Sequence, residues 1–140
     1  MATAYKSNKV ANNAPARAAI PGLNAVSEVF TFPAAAVVND TIEMFVLPKG
    51  AVLCEMILDV DDLDSATAMM LQVGDATTAD KYLTANALAQ TGGVLRCIDK
   101  KGVIGVPLAA DTKLVIKVST APTTGVVGDV RLTAVYNLEK

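Results

Sequence analysis

Hydrophobic and polar residues alternate along several short stretches of this chain, which is the pattern of β-strands that bury one face. The clearest stretch runs from Val52 to Val60, where every second residue from Val52 onward, including Cys54, is apolar. The residues between them are half apolar, which indicates that the second face of this strand is partly covered as well. The pattern therefore predicts a long strand near the centre of a β-sheet protein.

Other stretches with similar spacing predict about eight strands in total. The predicted strands are Glu28–Phe32, Thr41–Leu47, Val52–Val60, Ala68–Val73, Val94–Ile98, Val103–Val106, Lys113–Val118 and Asp129–Leu138. Turn residues separate them at intervals of roughly ten residues, which is typical of β-sandwiches and barrels. We predict an all-β, jelly-roll-like β-sandwich of about eight antiparallel strands with an extended N-terminal arm.

One segment between the predicted strands favours a helical turn. Thr78 is a suitable N-cap for a helix over Thr77–Leu88, and Asp80 would lie in the first turn of that helix. Gly92 follows and would end it. Further along, Asp99–Gly102 is predicted to form a hairpin turn that joins the two flanking strands.

The first 26 residues follow neither a strand period nor a helix period. Pro15 and Pro21 interrupt any helix and favour extended backbone before them. A disordered tail is the alternative, but the apolar residues near the end of this segment argue against it. We predict an extended N-terminal arm over residues 1–26 and a β-sandwich domain over residues 27–140. The predicted partner contacts of the arm are Arg17, Ile20, Leu23 and Val26.

Composition adds a reason to expect neighbouring subunits. Hydrophobic residues make up 52% of the chain and charged residues 19%, which is apolar for a free monomer. This surplus suggests surface that is buried against a partner or against further copies of the chain, as a dimer or trimer. The net charge is −2, and the few basic residues of the arm are too few to predict nucleic-acid binding. No signal peptide or membrane-spanning run is visible, so we expect no membrane partner and synthesis inside a cell.

The sequence offers little for catalysis. It contains no His, which excludes His-based triads and most zinc sites. We therefore predict no catalytic, cofactor-binding or metal-binding residues and no enzyme activity. The mixture of Thr, Asp, Lys and Tyr from Thr78 to Tyr82 is interpreted as a surface turn. Cys54 and Cys97 are predicted to be buried free thiols, although a disulfide between them stays open.

Four aspartates form an acidic run between two predicted strands. Asp59, Asp61, Asp62 and Asp64 lie where the chain reverses direction, so we interpret them as a solvated turn. Oxygen-rich loops also bind calcium or magnesium, and that alternative stays open. The run lacks the glycine and the distal glutamate of an EF-hand loop, which makes the turn the preferred interpretation.

Several turn-and-strand motifs resemble those of small virion proteins of tailed phages. They are Leu47-Pro48-Lys49-Gly50-Ala51, Leu58-Asp59-Val60-Asp61-Asp62-Leu63-Asp64-Ser65-Ala66-Thr67, Val73-Gly74-Asp75-Ala76, Lys81-Tyr82-Leu83, Val118-Ser119-Thr120-Ala121-Pro122-Thr123-Thr124-Gly125 and Gly128-Asp129-Val130-Arg131-Leu132 with Tyr136. The chain as a whole resembles the capsid cement, or decoration, proteins of short-tailed phages such as those that infect Bordetella.

This resemblance implies a structural function. It implies a jelly-roll protein made in the host cytoplasm that binds the outside of a phage head, where the major capsid protein has the HK97-type fold. Many copies would hold neighbouring capsid subunits together. The motifs carry no functional residues, so none is transferred. The alternative is a receptor- or glycan-binding head module on the same fold, but the chain has no Trp and few other aromatic residues for stacking on sugars.

Overall fold

The fold was analysed in a computed structural model, which describes residues 2–7, 10, 22–97 and 103–138. These residues form nine β-strands and one short 3₁₀ helix at Leu88–Gln90. The strands are β1 (Ala4–Lys6), β2 (Gly22–Phe32), β3 (Thr41–Leu47), β4 (Ala51–Val60), β5 (Met70–Asp75), β6 (Leu83–Asn86), β7 (Gly93–Arg96), β8 (Thr112–Thr120) and β9 (Gly128–Leu138). The predicted all-β class is therefore confirmed.

The strands form two sheets that pack face to face. Sheet A has the strand order β1-β3-β8-β5-β6 and sheet B has the order β2-β9-β4-β7. From β2 onward, every connection except β5–β6 crosses from one sheet to the other. This crossing pattern gives two four-stranded Greek-key layers, which is the jelly roll that the sequence predicted. The ladders are antiparallel except that β1 runs parallel to β3.

The core lies between the two sheets and is built mainly from the long strands. In β8 and β9 the predicted alternation is confirmed, because Leu114, Ile116, Val130 and Leu132 are all fully buried. Burying such a side chain completely contributes about 1.5–3 kcal/mol relative to leaving it in water. The two sheets are therefore held together chiefly by these inward rows.

A β-bulge changes which residues of β4 face the core, so the predicted inward face is correct only from Met56 onward. The pairing of β4 with β9 shifts register between Leu53 and Glu55, and an extra residue at a bulge reverses the alternation that follows it. Leu53 and Met56 are consequently buried, whereas Cys54 is exposed. The prediction that Cys54 lies in the core was wrong. Cys97 is buried as predicted, and no disulfide joins the two cysteines.

The segment predicted as a helix over Thr77–Leu88 is instead a turn followed by β6. Asp75 Oδ1 accepts hydrogen bonds from the backbone N–H groups of Thr77 and Thr78 at 2.9 and 2.7 Å, so Asp75 rather than Thr78 provides the cap. The backbone N–H of Tyr82 then donates to Val73 O at 2.9 Å. The chain is thereby returned alongside β5, where pairing with a sheet replaces the hydrogen bonds of a helix.

Two other predicted elements differ from the structure. Residues 103–106 form turns rather than a returning strand, and Gly105 has a φ of 85°, which is incompatible with a regular strand. Predicted strand Val94–Ile98 appears as β7, which ends at Arg96. Ile98 and the predicted hairpin turn at Asp99–Gly102 lie outside the described residues. The described part of the chain contains no helix with the length and hydropathy that crossing a lipid bilayer requires.

The N-terminal segment is attached to the chain's own sandwich where it is described. Ala4–Lys6 pairs with β3, and the Tyr5 ring lies 5.3 Å from the Phe30 ring and 6.2 Å from the Phe32 ring, between centroids. This stretch of the predicted arm is therefore extended, and it is paired within its own chain. Strand β2 begins at Gly22 and continues across the predicted boundary between residues 26 and 27.

Tyr82 carries a buried hydroxyl that forms no hydrogen bond with any of the described residues. Its side chain is 1% exposed, and burial raises the pKa of the phenol above its usual value. We expect Tyr82→Phe to raise the free energy of unfolding by about 1 kcal/mol, because it removes an unsatisfied polar group and keeps the ring. Urea denaturation would measure this. Tyr82→Leu, which also removes the ring, should instead lower the free energy of unfolding. An equal loss of stability in both variants would contradict the claim that the buried hydroxyl destabilises the fold.

Candidate interaction surface

Three loops meet at one end of the sandwich, and we call residues 33–40, 61–69 and 121–127 the loop end. The backbone N–H of Val126 donates to Leu63 O at 2.9 Å, and Asp64 and Gly125 form an isolated β-bridge. The backbone N–H of Asp61 donates to Asp129 O at 2.9 Å. The loops after β4 and β8 are therefore joined to each other by backbone hydrogen bonds.

The Asp64 carboxylate is the centre of this end. Asp64 is completely buried, with 0% of its surface exposed. It accepts hydrogen bonds from the backbone N–H groups of Ala66 (3.1 Å), Ala68 (2.7 Å), Met69 (2.8 Å), Thr123 (3.2 Å) and Thr124 (3.0 Å). Because two of these donors belong to the loop before β9, one side chain fixes two loops relative to each other.

The surroundings of Asp64 keep it ionised. Burial alone would raise the pKa of this carboxyl, since desolvation disfavours the charged form. The hydrogen bonds from the backbone N–H groups of Thr124, Ala68, Ala66 and Met69 outweigh that effect and hold the pKa well below its usual value. The prediction of a solvated acidic turn was therefore wrong at Asp64, although Asp61 and Asp62 are exposed as expected.

The same hydrogen bonds hold a strained residue in place. Thr67 has a φ of 58°, which is in the left-handed region that β-branched side chains rarely adopt. The residues on both sides of it, Ala66 and Ala68, donate their N–H groups to Asp64. Strained backbone persists only where the surrounding contacts determine it. Loop 61–69 is therefore fixed in one conformation.

The first loop is fixed by a second buried carboxylate and by a close approach. Asp40 is 1% exposed, and its Oδ2 accepts a hydrogen bond from the N–H of Val37 at 2.9 Å. A Cβ atom on Gly125 would lie 2.0 Å from Ala34 O, so only glycine allows loop 121–127 to pack against loop 33–40. All three loops thus form one packed unit.

Exposed apolar side chains are concentrated on this unit. Among the described residues, seven large hydrophobic side chains are exposed, and four of them lie in the loop end: Val37 (39%), Val38 (49%), Val126 (41%) and Val127 (62%). The others are Leu23, Val94 and Val106. Single exposed hydrophobic residues are ordinary, but several at one rigid end are typical of a protein-binding surface.

Beside the valines, the sheet B side of this end is acidic. Asp59, Asp61, Asp129, Arg131 and Val29 line a shallow pocket of about 130 Å³. Within the described ranges, no group of three or more His, Cys, Asp or Glu side chains is arranged to hold a metal ion. This geometry gives the cation alternative no support, and the acidic side chains remain available to solvent or to a charged partner.

The four residues predicted as partner contacts have different locations. Leu23 is 73% exposed near the start of β2, at the end of the sandwich opposite the loop end. Val26 is 9% exposed and belongs to the hydrophobic core of its own chain, which leaves little of its side chain for a partner. Arg17 and Ile20 lie outside the described residues. The structure therefore leaves Leu23 as an accessible predicted contact.

Sequence reasoning missed Asp64 and the four valines. The spacing of Asp62, Asp64 and Ala66 gave a local signal, since an Asp often accepts a hydrogen bond from the N–H two residues later, and both such bonds form. The donors at Thr123 and Thr124 are about sixty residues away in sequence. No local pattern can reveal a contact of that kind.

Chains from solved phage capsids are similar to this protein. A chain from the capsid of Ralstonia phage GP4 is 26% identical, with a TM-score of 0.84, and the match covers 99% of this chain and 99% of that chain. A chain from the capsid asymmetric unit of cyanophage Pam1 is 27% identical, with a TM-score of 0.73, over 88% of this chain and 94% of that chain.

A third chain shares the fold at lower identity. It comes from the acidic stable capsid structure of Helicobacter pylori bacteriophage KHP30 and is 18% identical, with a TM-score of 0.65, over 84% of this chain and 89% of that chain. No protein-family model and no curated protein sequence matches the chain. The structural neighbours are capsid chains, and this likeness supports a structural role in a virion.

The Asp64 carboxylate should make the stability of the protein depend on acid. Its pKa is lowered in the folded state, so its contribution is fully present above the unfolded pKa of about 3.9 and is lost as the pH falls towards the folded pKa. We expect Asp64→Asn to lower the melting temperature at pH 7. Below about pH 4, the melting temperature of this variant should fall less steeply than that of the wild-type protein. Thermal unfolding followed by circular dichroism between pH 2 and about pH 7 would measure both effects.

Asp61→Asn is the matched control. Asp61 is exposed and accepts a single backbone hydrogen bond, from the N–H of Asp129 at 2.8 Å. Its replacement should change the melting temperature much less than the replacement of Asp64. Equal effects of the two substitutions would show that Asp64 does not organise the loops.

Proposed function

We propose that this protein is a capsid cement, or decoration, protein. It binds the outer surface of a phage head whose major capsid protein has the HK97-type fold, and it stabilises the contacts between major capsid protein subunits. The protein is made in the host cytoplasm and becomes part of the virion exterior, where further copies of the chain are additional partners.

One observation carries this proposal. The match to a chain of the Ralstonia phage GP4 capsid covers 99% of both chains with a TM-score of 0.84. The likeness therefore extends over the whole jelly roll and includes the loops as well as the strands. Two of the motifs that resemble those of small tailed-phage virion proteins, at residues 58–67 and 118–125, overlap these loops.

The shape of the molecule suits a connecting role. Exposed apolar side chains lie at both ends of the sandwich, with Val126 and Val127 at one end and Leu23 at the other. A protein that contacts two subunits at once binds more tightly than either contact alone, because the second contact forms at a high effective concentration. The rigid sandwich between the two ends fixes their separation.

Binding to heads tests the function directly. Heads would be purified from a mutant of the encoding phage that lacks this gene, and the purified protein would be added back. We expect saturable binding with a fixed number of copies per head, and release of packaged DNA at a higher temperature than from undecorated heads. Co-sedimentation with gel densitometry measures occupancy, and fluorescence of a DNA-binding dye during heating measures release.

Two controls define the opposite outcome. The protein unfolded by heat before addition should not bind, and heads of an unrelated phage should bind no saturating amount. If wild-type protein fails to saturate its own heads and instead labels host cells or a glycan array, the cement function is wrong and the receptor- or glycan-binding alternative replaces it.

A further inference from the structure

The loops of the loop end are held by hydrogen bonds to two buried carboxylates, Asp40 and Asp64. Loops usually lose conformational freedom when they bind a partner, and this loss weakens binding. Here the cost has been met during folding, because Asp64 and Asp40 hold the loops through buried hydrogen bonds and Gly125 allows them to pack together. A surface of this kind is prepared to dock without rearrangement.

The chemistry of the loop end combines apolar and acidic groups. Val126 and Val127 are exposed in the loop that leads into β9, and Arg131 is the one cation among the described residues that line the acidic pocket of sheet B. Negative charge predominates at this end, because four carboxylates lie here. They belong to Asp59, Asp61, Asp62 and Asp129. A partner with exposed apolar groups and a positive surface would complement both features.

The same charges argue against a second copy as the occupant. In a two-fold dimer the same patch of both subunits would be brought together. Two loop ends would then place their acidic side chains against each other, and juxtaposed like charges oppose association. The occupant is therefore a different surface, one that is basic where the loop end is acidic.

The opposite end lacks this combination. Lys81 Nζ lies 2.9 Å from Asp75 Oδ2, and Lys113 Nζ lies 3.1 Å from Glu43 Oε1. Each of these two pairs carries no net charge, so neither pair gives a preference for the sign of a partner.

We propose that the loop end, with Val126 and Val127 at its centre, is the face that docks onto the shell, and that it meets a basic, partly apolar surface of the capsid subunits. This inference rests on the proposed cement function. Of the two contacts that the proposed function requires, it places the main one at the loop end and states the charge of the surface that receives this end.

Substitutions at Val127 test the assignment, because this side chain is 62% exposed and its replacement leaves the core intact. We expect Val127→Lys to weaken binding to heads at least tenfold, through loss of apolar contact and repulsion from the basic surface. Val127→Glu should weaken binding less than Val127→Lys does. Raising the salt concentration should weaken the binding of wild-type protein.

Val106→Lys is the matched control. Val106 is also a loop valine, is 51% exposed and lies at the opposite end. The affinity of the Val106→Lys variant for heads should stay within twofold of that of the wild-type protein. Unchanged melting temperatures would establish that all three variants are folded.

The outcomes separate this inference from the proposed function. If wild-type protein does not bind heads, the proposed function fails before the variants matter. If wild-type protein binds and Val127→Lys binds equally well, or Val106→Lys loses as much affinity, the loop end is not the docking face. If Val127→Glu is weaker than Val127→Lys, the receiving surface is not basic. If Val127→Lys instead dissociates a self-association of the wild-type protein, the occupant is a second copy and the inference is wrong.

Discussion

The hydrogen bonds to the Asp64 carboxylate are the interaction on which the loop end depends. A buried charge is costly unless hydrogen bonds replace the water it loses, and here five backbone N–H groups do so. The same bonds satisfy donors that would otherwise be buried without partners between two loops. Neither the carboxylate nor these loops could be buried in this arrangement without the other.

The N-terminal strand β1 also serves two purposes, at one edge of sheet A. Sheet A would present the edge of β3 to solvent, and an exposed edge strand invites unwanted pairing. β1 covers part of that edge, and the Tyr5 ring packs on Phe30 and Phe32 of sheet B. The first described residues therefore connect the two sheets, which is a different role from the free arm that their composition suggested.

The sequence predicted the class, the jelly-roll arrangement and most strand positions, because a row of alternating apolar residues reports which face is buried. It failed where one residue changes that alternation. The bulge before Glu55 turns Cys54 outward, and the residues on either side give no sign of it. At Thr77–Leu88, local propensity favoured a helix, whereas pairing with β5 determined the structure. The loop end could not be predicted at all, since the contacts of Asp64 with Thr123 and Thr124 exist only after the sheets have packed.

The proposed cement function gives a physical reason why a stiff sandwich is combined with a stiff loop end. A protein that holds a shell together acts against forces that separate its two contact points, so any flexible joint between them would extend before the contacts resist. The inward rows of β8 and β9 prevent the sheets from shearing, and Asp64 prevents the loops from yielding where they leave the sheets. The many copies expected on a shell then allow each contact to be individually weak, because stiffness lets them resist the same displacement together. A molecule of this kind needs well-held loops more than it needs a deep pocket, and held loops are the most distinctive feature of this chain.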